Sequence, residues 1–459
     1  MPAIPLTKQA LTRHRDLTVG SVRRLVLTLA VPATLESALM SVVNLLHAYW
    51  MGRVGGLALA SVMMGNSLRM VLISPMMGLS MGGMAVVARH IGARETRQAD
   101  HAVMQVALLI TFFVSLSALI GLTLGGTFLR WMGAQGEVWR DALAYTRIIF
   151  WGLFFMEMLP SLSGVIRGAG RPEYTLRINL VNAVTMMILE PLLALGWGPI
   201  PALGVRGAAL SSVLASAAGV AAQFYILLTG KAGVRLHGRD IVPDFRMMWR
   251  ILRIALPVSI QRLSPNLGNA VFLRLVSSLG DTVLAAYSIV SQFGMFLQAL
   301  PMGLGGAAAT MTGQNLGAHA PDRAERAAHF GTRMAALSSA AITLLIALFA
   351  RPVLTLFTHD TAVIAVGIVA VWCNVLALTA RAWLLAMSSI LAGAGDTISP
   401  MLVYIGDLWL AQLPLCWLLS NAAGLGALGI WLGIGLGDLA GAAAITRIFA
   451  SGRWKMRRV

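Results

Sequence analysis

Long apolar runs with few charges inside them recur along this chain, and their length restricts the fold more than any other feature. A helix rises about 1.5 Å per residue, so roughly 20 apolar residues cross a hydrocarbon core about 30 Å thick. Runs of that order fall near 25–49, 57–88, 101–127, 139–166, 173–195 and 204–229, then near 248–275, 283–313, 326–350, 361–391, 398–420 and 427–450. The segments between them are too short to hold a soluble domain. Only 12% of residues are charged and 58% are hydrophobic, against about 25% charged in a typical soluble domain. In lipid every backbone N–H and C=O must be satisfied inside the span. The expectation is an all-α polytopic membrane protein with twelve transmembrane helices.

The formal net charge is +17. In a soluble protein such a balance points to nucleic acid; here the retention of Lys and Arg on the cytoplasmic side explains it, and no nucleic-acid partner is expected. With the N-terminus inside, 25 of the 35 basic residues fall in inner segments. Arg53, Arg130, Arg140, Arg206 and Arg351 fall in outer loops, and Arg69, Arg147, Arg262, Arg274 and Arg381 within spans. That asymmetry predicts an even number of spans with both termini in the cytoplasm, in a bacterial inner membrane. The basic start, "MPAIPLTKQALTRHRDLTVGSVRR", lacks the apolar stretch of a signal peptide and is expected to be a cytoplasmic tail. Cys373 and Cys416 lie in apolar runs, 43 residues apart, and read as packed thiols rather than a disulfide framework or metal ligands.

Residues 229–250 divide the chain. Laid over the first half with a constant shift of 225, the second half matches its punctuation. Pro32 meets Pro257, Gly55 meets Gly280, Gly78 meets Gly303, "IGA" (91–93) meets "LGA" (316–318), and "GAG" (168–170) meets "GAG" (393–395). Six spans per repeat is an even number, so both repeats enter from the same side. They are expected to be two six-helix lobes related by a pseudo-two-fold axis along the membrane normal, the design of rocking transporters. The expected organisation is a tail (1–24), an N-terminal lobe (25–229), a linker (230–247), a C-terminal lobe (248–450) and a basic tail (451–459).

The stretches "WMGRVGGLALASV", "PMMGLSMGGMAVVARHIGA", "ILEPLLALGWGPIPALGVRGAALSS" and "ILAGAGDT" resemble the multidrug and toxic compound extrusion (MATE) transporters, in the right order and over roughly residues 25–450. The resemblance implies two lobes around a cleft open alternately to each side. It also implies efflux of bulky, often cationic organic compounds against an inward flow of protons or sodium ions. No ATP or other cofactor is implied, and no GxxxxGK[ST] loop occurs. Many bacterial members carry an Asp fifteen residues after the first-helix Pro; here that position is His47. The family's Asp or Asn in the fifth helix falls on Glu190, its Asn four residues earlier on Met186, and its tenth-helix Asp near Arg381.

Read physically, an ionised side chain at the centre of a span costs about 2.5–3.5 kcal/mol on insertion scales, so it faces a cavity or a partner. Glu36 and His47 are eleven residues apart, close to three helical turns, and share a face with Met40 and Asn44 between them. Asn179 and Glu190 repeat that spacing, with Asn182 and Met186 near the stripe. If the two helices face one another, His47 reaches Glu190 and the pair shares a proton or ion near neutral pH. Glu36, His47, Asn179, Asn182 and Glu190 are therefore the candidate ion-coupling set. The plainer reading pairs Glu36 with Arg23 or Arg24 and puts His47 at the outer headgroups, and Glu157 has Arg147 and Arg167 ten residues to either side. In the second repeat Gln261, Arg381 and Asp407 are candidate cleft residues beside Met40, Asn44, Met63, Met64 and Met186, with an Arg381–Asp407 pair the leading hypothesis. Flexible Met thioethers suit promiscuous binding surfaces and also ordinary packing. Pro32 and Pro257 are expected to kink equivalent helices. Small residues such as Gly78 with Gly82, and Gly429 with Gly433 and Gly437, allow close helix approach.

The expected function is proton- or sodium-coupled antiport of an organic cation by a protein working as a monomer among membrane lipids. The rival is a flippase for a lipid-linked or anionic precursor, kept open by Arg69, Arg262, Arg274 and Arg381. No HExxH constellation occurs, and a membrane enzyme is not expected.

Overall fold

The computed structural model describes residues 16–197 and 201–457. Most of the N-terminal tail, the last two residues of the basic tail and 198–200 of the loop after the fifth span lie outside them. Every regular element described is helical. In chain order the helices are α1 (Val22–Val54), α2 (Gly56–Ile73), α3 (Leu79–Gly92), α4 (Thr96–Trp131), α5 (Gly136–Trp151), α6 (Leu153–Gly168), α7 (Pro172–Ala194) and α8 (Gly204–Thr229). The linker follows, with one 3-10 turn, Gly238–Ile241. Then come α9 (Phe245–Ser277), α10 (Asp281–Leu297), α11 (Ala299–Gly317), α12 (Pro321–Leu348), α13 (Ala350–Thr355), α14 (Thr361–Gly393), α15 (Ile398–Ala422) and α16 (Gly426–Ala450). Among the described residues nine helices are long and apolar enough to cross a membrane, and α5 with α6, bent by 55°, makes a tenth span.

Local chemistry sets many of these elements. Asp360 caps α14 by accepting from the backbone N–H groups of Ala362 (2.8 Å) and Val363 (3.4 Å). Gly230 closes α8 in the left-handed region, φ 70°, which only glycine enters without strain. Inside the apolar helices, hydroxyls bond back to carbonyls four residues earlier, as Ser163 to Leu159 (2.7 Å) and Thr343 to Ser339 (2.7 Å), which satisfies these donors within the helix. Pro32 and Pro257 lie within α1 and α9. Both helices continue through the proline.

The chain divides into two compact units. Of the described residues, one comprises Asp16, Leu17 and Leu35–Leu256; the other comprises Thr18–Thr34 and the chain from Pro257 on. The divisions fall at Pro257 and two residues past Pro32, so each unit takes the first turns of the other repeat's leading helix. In the first unit Gly82 of α3 lies against Ile251 and Ala255 of α9; in the second, Gly303 of α11 lies against Thr34 of α1.

Within each unit the 225-residue repeat holds at the level of individual contacts. Gly168 packs on the backbone of Met84, and Gly393 packs on Ala309. Gly164 meets Ser80, while Gly305 meets Ser389, the same contact with glycine on the opposite helix. Backbones that approach this closely have no room for a Cβ. Gly429, Gly433 and Gly437 of α16 sit against Leu419, Cys416 and Gln412 of α15.

Candidate functional site

In the first unit α1 and α7 run parallel, side by side, and two polar rungs join them. On the lower rung Glu36 Oε1 accepts from Arg167 Nη1 of α6 at 2.9 Å and from Asn179 Nδ2 at 3.1 Å. Its Oε2 accepts from the Thr175 hydroxyl at 2.6 Å. Arg167 also reaches Ser80 Oγ at 3.3 Å. On the upper rung His47 Nδ1 lies 2.5 Å from Glu190 Oε1. Glu190 is 1% exposed and no apolar neighbour satisfies it, so the imidazole is its partner. Both rungs span 143 positions in sequence. Their separation along the helices is about 16 Å.

The structure thus brings together Glu36 with Asn179 and His47 with Glu190. Asn182 is buried between the rungs with its Cβ near the position a side chain on Gly219 would fill. Met40 and Met186 are half-buried, Asn44 and Met63 exposed, and Met64 half-buried.

Two plainer pairings give way to others. Glu36 meets Arg167 rather than Arg23 or Arg24. Glu157 pairs with neither arginine of its own stretch of chain: its Oε1 accepts from Arg69 Nη1 of α2 at 2.9 Å. Ten residues along one helix is about 15 Å, beyond direct reach, so the partner comes from a neighbouring helix. A charge count follows. The acids set in apolar stretches of this unit are Glu36, Glu157 and Glu190. Glu36 and Glu157 face guanidinium groups, which stay charged at any physiological pH. Glu190 alone faces a group that can lose its charge.

In the second unit Arg381 does not pair with Asp407. Its Nη2 and Nε lie 2.9 and 3.2 Å from the Oδ1 and Oδ2 atoms of Asp438 on α16. Gln412 stands between the acids, donating from Nε2 to Asp407 Oδ2 (2.8 Å) and to Asp438 Oδ1 (3.0 Å). The reason is local: Asp407–Gln412 is a π turn, and the extra residue puts Gln412 back over Asp407, five positions earlier. Asp407 lies against Gly441, where a Cβ would crowd its carboxyl. Gln261 is half-buried on α9. Arg167, Thr175, Ser80, Arg69 and Gln412 complete these networks. Thr175 had a legible signal, four residues before Asn179 and on its face; Arg69 and Gln412 had none, since their roles depend on which helix lies alongside.

Among the described residues no group of three or more His, Cys, Asp or Glu side chains is arranged to hold a metal ion.

Comparison with known proteins agrees with this architecture. The MatE family model matches residues 32–192 and 257–418; the two segments start 225 residues apart, which is the repeat shift read above. The probable multidrug resistance protein YoeA of Bacillus subtilis is 27% identical over 425 residues, covering 90% of each chain. A protein named FAD transporter from Shewanella oneidensis is 25% identical, covering 77% of this chain and 78% of its own. A solved structure described as the outward-facing conformation of a multidrug resistance MATE family transporter superposes with TM-score 0.88 at 23% identity, over 95% of this chain and 98% of that one. The fold is all-α, with twelve spans in two six-helix lobes. The chain, whose two matched segments cover both repeats, belongs to the MatE family of membrane transporters.

Proposed function

We propose that this protein is a secondary efflux transporter that exchanges protons for bulky organic cations by alternating access of its two repeats. The observation that carries the reading is the His47–Glu190 pair at 2.5 Å. With imidazole neutral and the carboxylate ionised, the pair bears one negative charge and attracts a cation. One added proton makes the pair neutral overall and removes that attraction. Proton and organic cation are then mutually exclusive ligands of one site, and mutual exclusion by linkage is the thermodynamic basis of exchange. Glu36 and Glu157 are held by the permanent cations Arg167 and Arg69, whereas Glu190 is held by an imidazole, which can carry or lack a charge. The bias of Lys and Arg supports an inner-membrane orientation with both termini in the cytoplasm. The protein acts as a monomer in lipid, since one chain holds both repeats.

The test is flux of a cationic dye into proteoliposomes under separately imposed pH and sodium gradients. A pH gradient drives uptake by the wild type and not by Glu190→Gln, which still inserts and folds. Transport driven by sodium alone, or unimpaired transport by Glu190→Gln, overturns the reading.

A second reading rests on the relative named FAD transporter: an anionic, nucleotide-bearing substrate. Two of the four arginines behind an anion-carrying cavity, Arg69 and Arg381, are bound to Glu157 and Asp438, which favours the cation. Competition of FAD with dye in the same vesicles separates the two.

A further inference from the structure

The linker between the repeats is clasped to α4 through histidines that sit between carboxylates. His101 of α4 has both ring nitrogens engaged: Nδ1 lies 3.3 Å from Asp240 Oδ1 on the linker, and Nε2 lies 3.3 Å from Asp244 Oδ2 at the head of α9. A neutral imidazole has one N–H and one lone pair, so it donates to only one of these oxygens and turns its lone pair on the other. Only the doubly protonated ring donates to both. His237 of the linker presents Nδ1 alone, 3.6 Å from Asp100 Oδ2 and 3.9 Å from Asp240 Oδ2, close enough for charge attraction but beyond hydrogen-bond distance.

The surrounding contacts do not depend on protonation. Gln105 Nε2 donates to the carbonyls of Asp240 and Val242, both at 3.0 Å, and its Oε1 accepts from Asp244 N at 2.9 Å. Arg235 N donates to Asp100 Oδ1 at 2.6 Å, while its guanidinium turns away to the Leu228 carbonyl. Ala232, Val234 and Leu236 are buried. The other charged groups nearby, Arg97 on α4, Arg239 on the linker and Arg246 on α9, are exposed. At this face Asp240 and Asp244 lie beside His101, and Asp100 lies beside His237.

Asp244 does a second job. Its Oδ1 caps α9, accepting from Arg246 N (2.9 Å) and Met247 N (3.1 Å). The clasp thus holds the segment of α9 that packs with the first unit, just before Pro257.

We propose that His101, with His237, makes the linker a pH-sensitive clasp: protonated, the two rings staple residues 237–244 and the start of α9 to α4, and deprotonated, they release them. The direction follows from the geometry: only a ring with both N–H groups donates to Asp240 and Asp244 at once, so docking is expected to be firmer in acid and looser in base. This device lies apart from the His47–Glu190 rung and operates whether or not that rung couples transport.

The test is hydrogen exchange of residues 231–250 in the full protein in nanodiscs, comparing variants at the same pH so that intrinsic exchange rates cancel. At about pH 5.5 the wild type protects residues 237–244 roughly tenfold more than His101→Gln/His237→Gln does, and at about pH 8.5 the two are alike. Gln105→Ala serves as the second variant: it loosens the linker at both pH values and leaves the histidine-dependent difference in place. Equal protection of wild type and double variant at both pH values overturns the proposal. So does a linker that Gln105→Ala loosens but that neither pH nor the histidine substitutions affect, since docking is then structural only.

Discussion

His47 and Glu190 meet at the same 143-position offset that joins Glu36 to Asn179. Two contacts eleven residues apart on each helix, at one offset, mean that α1 and α7 run parallel with their polar stripes face to face. That alignment sets the buried Glu190 carboxylate against an imidazole rather than a guanidinium.

His47→Gln keeps a hydrogen-bonding side chain beside Glu190 and removes the titrating ring. The expected outcome is at least a tenfold loss of proton-driven transport, with a flattened pH profile for what remains, in protein that assembles normally. Initial dye flux across a pH series in proteoliposomes reads both. A profile identical in shape to the wild type's removes His47 from the coupling step.

The two acids of the second unit are predicted to differ in structural weight. Asp438 is 1% exposed and takes two of the Arg381 contacts, a third going to Gln412 Oε1 at 3.4 Å, whereas among the described residues Asp407 accepts from Gln412 alone. Removing one partner of a buried ion pair costs about 3–5 kcal/mol. Asp438→Asn therefore lowers the thermal midpoint of detergent-solubilised protein far more than Asp407→Asn does. Equal shifts mean that Arg381 redistributes its bonds through Gln412.

Glycine contacts give a packing test. A Cβ on Gly164 collides with the backbone of Ser80 on α3, while one on Gly306 meets nothing within 4 Å. Gly164→Ala is expected to destabilise by about 1–3 kcal/mol through overpacking. Gly306→Ala is expected to be neutral or to stabilise by up to about 1 kcal/mol, because alanine is the better helix former. Reversible unfolding of both variants in the same lipid mixture makes the comparison.

The linker supplies a pH dependence with a definite sign. The Met247 backbone N–H, aided by His101 and the Arg246 N–H, holds the Asp244 carboxyl below the usual carboxylate range against a smaller opposing effect of burial. A depressed carboxyl stabilises the cap above its unfolded value of about 3.9, and that contribution disappears as pH falls through the still lower folded value. Asp244→Asn is therefore expected to weaken protection at the head of α9 at neutral pH and to match the wild type in strong acid. Hydrogen exchange of residues 245–250 checks this; a difference that persists unchanged below about pH 3 contradicts it.

The glycine and proline punctuation made the repeat legible because helix ends and close backbone approaches admit few residue types, so a shift of 225 keeps its meaning without any coordinates. The same shift predicts which glycine meets which backbone within each unit. Helical spacing likewise put Glu36 with His47, and Asn179 with Glu190, on single faces. Spacing along one helix carries no information about which helix lies beside it. For that reason Glu157 found Arg69 rather than an arginine of its own neighbourhood, and Arg381 found Asp438. A π turn, invisible in the residue pattern, moved Gln412 between the acids.

The sequence alone determined that the chain lives in lipid, in which order its spans run, and that they form two copies of one plan, because hydrocarbon tolerates only backbone satisfied within each helix. The tertiary structure decided the charge partners and the exchange of leading helix segments between the units. Pairing energies are set by distances of about 3 Å across helix interfaces, and only packing in three dimensions fixes those.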